Sequence, residues 1–169
     1  MPNKVTVSDA ALRQAAEEGM DAFVDIFVDA INASVGGKLT AETMAQLNAS
    51  QITLLAYRIL RDEVMDGGFI QLIHNGYGGF IFLNPFAKMV KQWGITELGR
   101  LVSKGHSNYK KYHEEIEKDC TDEEFMSLFE RFPIFDDFDD TFVEHEEEWT
   151  AAIAQYIDGH IEEFAEIVN

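Results

Sequence analysis

Apolar residues return at steps of three and four along most of this chain, the period that gathers them on one face of an α-helix. Leu12, Ala15/Ala16, Gly19/Met20, Phe23, Phe27 and Ala30/Ile31 form the first stripe, behind a Ser8-Asp9 start that offers an N-cap hydroxyl and a first-turn acid. Glu17, Glu18, Asp21, Asp25 and Asp29 fall mainly on other faces, and Gly36-Gly37 ends the run. Thr40 is read as the cap of a short helix over 41–47, with Thr43 where a full capping box has an acid. Ser50 is read as the next N-cap, before a stripe of Ile52, Leu55, Ala56, Ile59, Leu60, Glu63 and Val64 that stops at Asp66-Gly67-Gly68.

Residues 69–74 fit one or two helical turns. The stretch 75–84 is ambiguous: Gly76, Gly78 and Gly79 surround Tyr77, and Phe80-Ile81-Phe82-Leu83 has strand-like composition. A lone four-residue strand with no partner run is not stable, so this stretch is expected to be a buried connector. Asn84-Pro85 reads as an N-cap with proline at the first helical position, and Gly94 closes that helix. A long helix is predicted from Thr96 to about Asp119, weakened at Gly105. Thr121-Asp122-Glu123-Glu124 is a capping box opening a helix through Phe132, which Pro133 stops. Residues 134–140 are read as an acidic, aromatic turn, and 141–167 as the last helical region, divisible at Gly159. Together these elements predict a single compact all-α domain of seven to nine helices over residues 1–169.

Charge changes this picture more than composition does. The chain has 169 residues and a formal net charge of −18. Residues 1–113 carry 11 basic and 11 acidic side chains, whereas 114–169 carry 2 basic and 20 acidic ones, and therefore the entire excess. With 46% hydrophobic residues and thirteen Phe the chain has ample apolar surface for a core, which separates it from disordered acidic tails. Direct binding to nucleic acid or to an anionic membrane needs clustered cations and is not expected. The single cysteine, Cys120, excludes an intramolecular disulfide. The start Met1-Pro2-Asn3-Lys4-Val5 lacks a signal peptide's apolar core and no 18-residue apolar run occurs, so the expected location is the cytoplasm.

A search for catalytic chemistry fails on specific missing residues. Gln71, Ser103, Lys110, Phe142 and Ile157 stand three before the five histidines, so no Glu-x-x-His pair exists to hold iron. Asp137, Asp139, Thr141 and Glu148 have calcium-loop spacing, but Phe142 occupies the place of the required glycine. Cys120 sits among Asp119, Thr121 and Asp122, a setting that disfavours the thiolate. The 76–79 glycines lack the Gly-Lys-Ser/Thr of a phosphate loop. No catalytic residue, metal or cofactor is assigned, and the chain is read as a non-enzyme. Glu63, on the apolar stripe of its helix, is read as a buried glutamate hydrogen-bonded to a neighbouring loop.

Eight of the thirteen residues 136–148 are acidic: Asp136, Asp137, Asp139, Asp140, Glu144, Glu146, Glu147 and Glu148. Like charges three and four apart repel on a helix, so eight exceed what capping requires. A solvated face that confers solubility would explain acidity, but not a neutral first 113 residues. The spacing of carboxylates on successive turns instead resembles a row of phosphates.

Glu63-Val64-Met65-Asp66-Gly67-Gly68-Phe69-Ile70-Gln71 with Asn75-Gly76, and the later Phe135-Asp136-Asp137-Phe138-Asp139-Asp140-Thr141-Phe142, resemble the signature of an acidic all-α bacterial family long labelled a domain of unknown function. The resemblance covers about residues 50–160 and leaves 1–49 without a family account. That family includes a double-stranded-DNA mimic that occupies the DNA-binding face of a helix-turn-helix regulator. The resemblance implies a non-enzymatic partner surface for a basic DNA-binding protein such as a helix-turn-helix transcription regulator. The expected surface is the eight acids of 136–148 with Glu123 and Glu124, and Glu114 and Glu115 as extensions. The alternative is an enzyme or small-ligand site in the connector around Tyr77, with Glu63 or His74 as its polar group. A homo-oligomer with an acidic exterior is a third reading.

Overall fold

The structure is a computed structural model and describes residues 4–169; Met1-Pro2-Asn3, the start of the N-terminal stretch without an apolar core, lies outside them. It is all-α, 78% helical, with a two-stranded sheet as the exception. Eight α-helices occur among the described residues: α1 Asp9–Glu18, α2 Met20–Ser34, α3 Ala41–Met44, α4 Ala49–His74, α5 Phe86–Gln92, α6 Thr96–Glu117, α7 Asp122–Arg131 and α8 Asp136–Gly159. No helix among these is long and apolar enough to cross a membrane. The chain forms two compact units, one of residues 1–55 with 148–169 and one of 56–147, so that α4 and α8 are each divided between them.

In the first unit β1 (Thr6–Ser8) and β2 (Glu166–Val168) pair in parallel, Val7 opposite Ile167. Ser8 ends the strand and caps α1, its hydroxyl accepting the Ala11 N–H at 3.1 Å. The single helix expected between Ser8 and Gly36-Gly37 is two, because Gly19 takes φ +130° between α1 and α2. Thr40 caps α3 and Thr43 returns the bond through its hydroxyl, so a neutral side chain completes the capping box. Ser50 is not the N-cap of α4. Asn48 is, exchanging bonds with Gln51 in both directions at 3.0 and 2.8 Å. Ser50 lies inside the helix and donates to Glu163 Oε1 at 2.6 Å, while Gln51 donates to the Phe164 carbonyl at 3.0 Å. These bonds hold 161–168 as a 3₁₀ turn and a strand instead of the expected helix.

In the second unit α4 is interrupted at the expected glycines, Gly67 (φ −148°) and Gly68 (φ +76°). The ambiguous stretch after it forms no strand. It is a π-helical turn, Gly79–Leu83, with Ile81 and Phe82 buried. Phe82 stacks on Tyr109 at 5.0 Å, and a Cβ at Gly78 would enter the Tyr109 ring, so the connector is filled by protein. His74 Nδ1 donates to the Ile116 carbonyl at 2.8 Å and its ring lies 4.8 Å from Phe125. Asn84 does not cap α5: its amide donates to the Phe80 carbonyl, and Pro85 holds the N-cap position. Gly105 admits the Phe82 ring, which a Cβ there would meet at 3.1 Å. Thr121 caps α7, accepting the Glu124 N–H at 3.1 Å, but the Glu124 carboxylate returns to the Thr121 hydroxyl at 3.2 Å and not to its N–H as the expected capping box requires. The 134–140 stretch is not a turn throughout. A 3₁₀ turn, Pro133–Phe135, leads directly into α8 at Asp136.

Candidate functional site: an acidic helix face

The early start of α8 determines what its acids do. At 100° per residue, Phe135, Phe138, Phe142, Trp149 and Ile153 mark the inward side of this segment. Phe135, Phe142, Trp149 and Ile153 are buried and Phe138 is half-buried. Asp136, Asp140, Glu144 and Glu147 project from the opposite side at steps of three and four, and Asp137 flanks them; all five are exposed. Among the described residues none of these five has a cation within ion-pair distance. Glu148, which belongs to the other unit, is also exposed.

Two of the eight acids turn inward and belong to the fold. Glu146 is buried and accepts from Arg61 Nε in an ion pair, its side chain 9% exposed. Asp139 is half-buried, and its Oδ1 accepts the Phe69 N–H at 2.7 Å. Burial, together with the nearby Asp136 and Asp140, pushes the Asp139 carboxyl up to about 6, against the opposing pull of the Phe69 N–H. Gly68 makes room for this carboxylate, since a Cβ there would collide with it. Asp139 thereby supplies the cap for the helical turns that resume at Phe69. The sequence contains a signal for both inward acids: 139 and 146 fall seven apart on the apolar stripe, the same placement that singles out Glu63.

Glu63 is half-buried in a polar cluster on α4 and the turn after it. Its Oε2 accepts from Gln71 Nε2 at 2.8 Å and from Asn75 Nδ2 at 3.0 Å, and Gln71 Nε2 also reaches Asp66 at 2.9 Å. These residues brace the glycine break; Glu63 makes the expected bonds but is half-buried instead of buried. Tyr77 is exposed and makes no contact with the cluster in the bonds described.

Glu123 and Glu124 are exposed in the first turn of α7, where they favour the helix dipole. Glu114 and Glu115 are exposed near the C-terminus of α6. Glu115 is not available as an open charge, because Lys118 (2.8 Å) and Arg131 (3.1 Å) both bind it and hold its carboxyl below the usual range. Those are the two cations of 114–169, and both bind the same carboxylate, Glu115 on α6. Because 137–148 is helical, the calcium-loop-like acids radiate from an axis and do not converge on a point. No group of three metal-ligating side chains occurs among the described residues.

A family model described as DMP19-like protein matches residues 45–160, which contain the glycine break, the polar cluster and the acidic face of α8. This chain belongs to the DMP19-like family. The DNA mimic protein DMP19 of Neisseria meningitidis serogroup B (strain ATCC BAA-335 / MC58) is 33% identical to it over 127 residues, 75% of this chain and 77% of that protein. The family match begins inside the first unit, after α3, and ends just beyond α8. The two segments on which the resemblance rests are therefore bonded to each other, Asp139 of one closing the Gly67-Gly68-Phe69 break of the other.

Proposed function

We propose that this chain is a non-enzymatic DNA mimic whose acidic α8 face binds the basic, DNA-binding surface of a protein such as a helix-turn-helix regulator. The observation that carries this is the axial charge density of the exposed face. Asp136, Asp137, Asp140, Glu144 and Glu147 are distributed over eleven helical steps, about 16 Å at ~1.5 Å per residue, so that successive charges stand on average about 4 Å apart along the axis. One strand of DNA presents one phosphate per about 3.4 Å of axis. A rigid helix also presents its charges without the ordering cost a flexible tail would incur. Long-range attraction of a basic groove-binding surface then follows from electrostatic complementarity. A surface serving solubility alone has no need of alignment, nor of a region whose two cations are drawn off to Glu115. Relationship to a protein named as a DNA mimic supports the same reading. The connector near Tyr77, the alternative site for a ligand, is occupied by Phe82 and Tyr109 packing and offers no comparable argument.

The test is capture from a bacterial lysate on the immobilised chain, followed by elution with duplex DNA. DNA-binding proteins are expected in the DNA eluate, and the triple variant Asp140→Lys, Glu144→Lys, Glu147→Lys is expected to lose them. Equal capture by the folded variant, or no release by duplex DNA, would falsify this function.

A further inference from the structure

A second charged surface lies on α5 and α6. Between residues 76 and 113 Glu97 is the one acid, whereas Lys88, Lys91, Arg100, Lys104, Lys110 and Lys111 are all exposed. Other cations of the described chain are mostly matched: Lys4 with Glu166, Arg13 with Asp9, Arg58 with Asp62, Arg61 with Glu146, and Lys118 and Arg131 with Glu115. Among the described residues none of the six α5–α6 cations has a carboxylate within ion-pair distance, although the chain contains 31 Asp and Glu. Only Lys38, in the other unit, shares that condition among the described residues.

Packing concentrates these charges. On α6, Arg100, Lys104 and Lys111 fall within about 40° of one another at ~100° per residue. Gly99 lets α5 approach: a Cβ there would meet the Lys91 side chain and stand 2.9 Å from the Ala87 carbonyl. The Lys91 stem therefore lies across Gly99, and its ammonium donates to Ser103 Oγ at 3.3 Å. Beside it opens a groove of about 550 Å³ whose lining includes Pro85, Ala87, Lys88, Lys91, Gln92 and Ser103. Pro85 and Ala87 form an apolar patch bordered by two ammonium groups.

We infer that this groove docks an acidic segment of a protein partner. An apolar side chain of the segment rests on Pro85 and Ala87, its carboxylates meet Lys88 and Lys91 in the groove, and the exposed Arg100 and Lys104 of α6, outside the groove lining, add to the attraction. Charge complementarity selects the class of occupant, and the span from Arg100 to Lys111, about 16 Å along α6, accommodates about five extended residues. Single-stranded nucleic acid is gripped by stacking on aromatic rings, and the groove lining has none. The inference does not depend on the α8 face, and its variants leave that face intact.

The probe is a fluorescein-labelled decapeptide of Asp and Glu around one Leu, followed by anisotropy at 50 mM salt. Lys88→Glu with Lys91→Glu is expected to weaken binding at least tenfold. The charge-matched control Arg13→Glu with Lys38→Glu is expected to stay within twofold of wild type. Exchanging the peptide's Leu for Ser is expected to weaken binding severalfold. No binding to the wild-type chain, an equal loss in the control, or tighter binding of a ten-nucleotide single strand or of duplex DNA overturns the inference. So does sedimentation showing self-association that the Lys88→Glu, Lys91→Glu protein lacks, since the face would then belong to a second copy of the chain.

Discussion

Replacing Asp139 by Asn separates two effects that its carboxylate combines. The side chain accepts the Phe69 N–H, which stabilises the glycine break, and at neutral pH it carries a charge in a half-buried position. Burial raises its carboxyl from 3.8 to about 6, with Asp136 and Asp140 adding to the rise and the Phe69 N–H opposing it. The direction is opposite to that of a salt-bridged acid. A folded-state value above the unfolded one means that the folded protein holds the proton more tightly. The resulting stabilisation is complete below pH 3.8 and is lost as pH rises through about 6. A gap of about two pH units corresponds to ~3 kcal/mol. Solvent reaches a half-buried group, and screening reduces this to about 1–2 kcal/mol. Asparagine keeps an acceptor for the Phe69 N–H without the charge. Asp139→Asn is therefore expected to be more stable than wild type at pH 7 by about 1–2 kcal/mol, a gain in Tm of about 2–8 °C for a chain of this length. The advantage should shrink to nothing by pH 4. Asp139→Ala, which loses the acceptor, should fall about 1 kcal/mol below the Asn variant at every pH. Urea denaturation of the three proteins between pH 4 and 7.5 measures this, and the pairwise difference isolates Asp139 from the other carboxylates. An Asn variant less stable than wild type at pH 7, or a difference independent of pH, would refute the reasoning.

Glu146→Gln is expected to destabilise the protein by about 1–3 kcal/mol in urea denaturation, because Arg61 would face a neutral amide in a half-buried position. Capture of DNA-binding proteins should survive this change; lost capture at unchanged stability would place Glu146 on the binding face. Gly68→Ala should cost more than about 2 kcal/mol by the same measurement, since φ is +76° and the added Cβ runs into the Asp139 carboxylate. An Ala variant as stable as wild type would show that the break can relax without its glycine.

The opposed surfaces of the 56–147 unit give its net charge a different meaning. A sum of −18 describes the chain as a polyanion, yet α5 and α6 expose six cations with no carboxylate partner among the described residues. A partner protein would therefore meet attraction at α8 and repulsion at α5–α6 if it presents a basic surface, and the reverse if it presents an acidic one. That arrangement orients a partner as well as attracting it.

Local chemistry made much of this protein legible in its sequence. The three- and four-residue period of apolar positions defined the helices, because burying one face is the dominant favourable term for an amphipathic segment. Thr40, Thr121, Gly94 and the Gly67-Gly68 pair marked ends and breaks through hydrogen bonds and backbone angles that act within a few residues. The segregation of acids into 114–169 was likewise visible by counting. Tertiary structure decided the remainder, wherever the deciding atom lies far along the chain. Glu146 is withdrawn from the surface by Arg61, 85 residues away, and Asp139 by the Phe69 N–H, 70 residues away. The last residues leave the expected helix for a strand because β1, at the opposite end of the sequence, offers backbone partners. The acidic run therefore specified how much charge the protein carries, and the stripe position of 139 and 146 hinted at which acids turn in, but packing supplied the partners that leave five carboxylates in water on α8 and turn two into the fold.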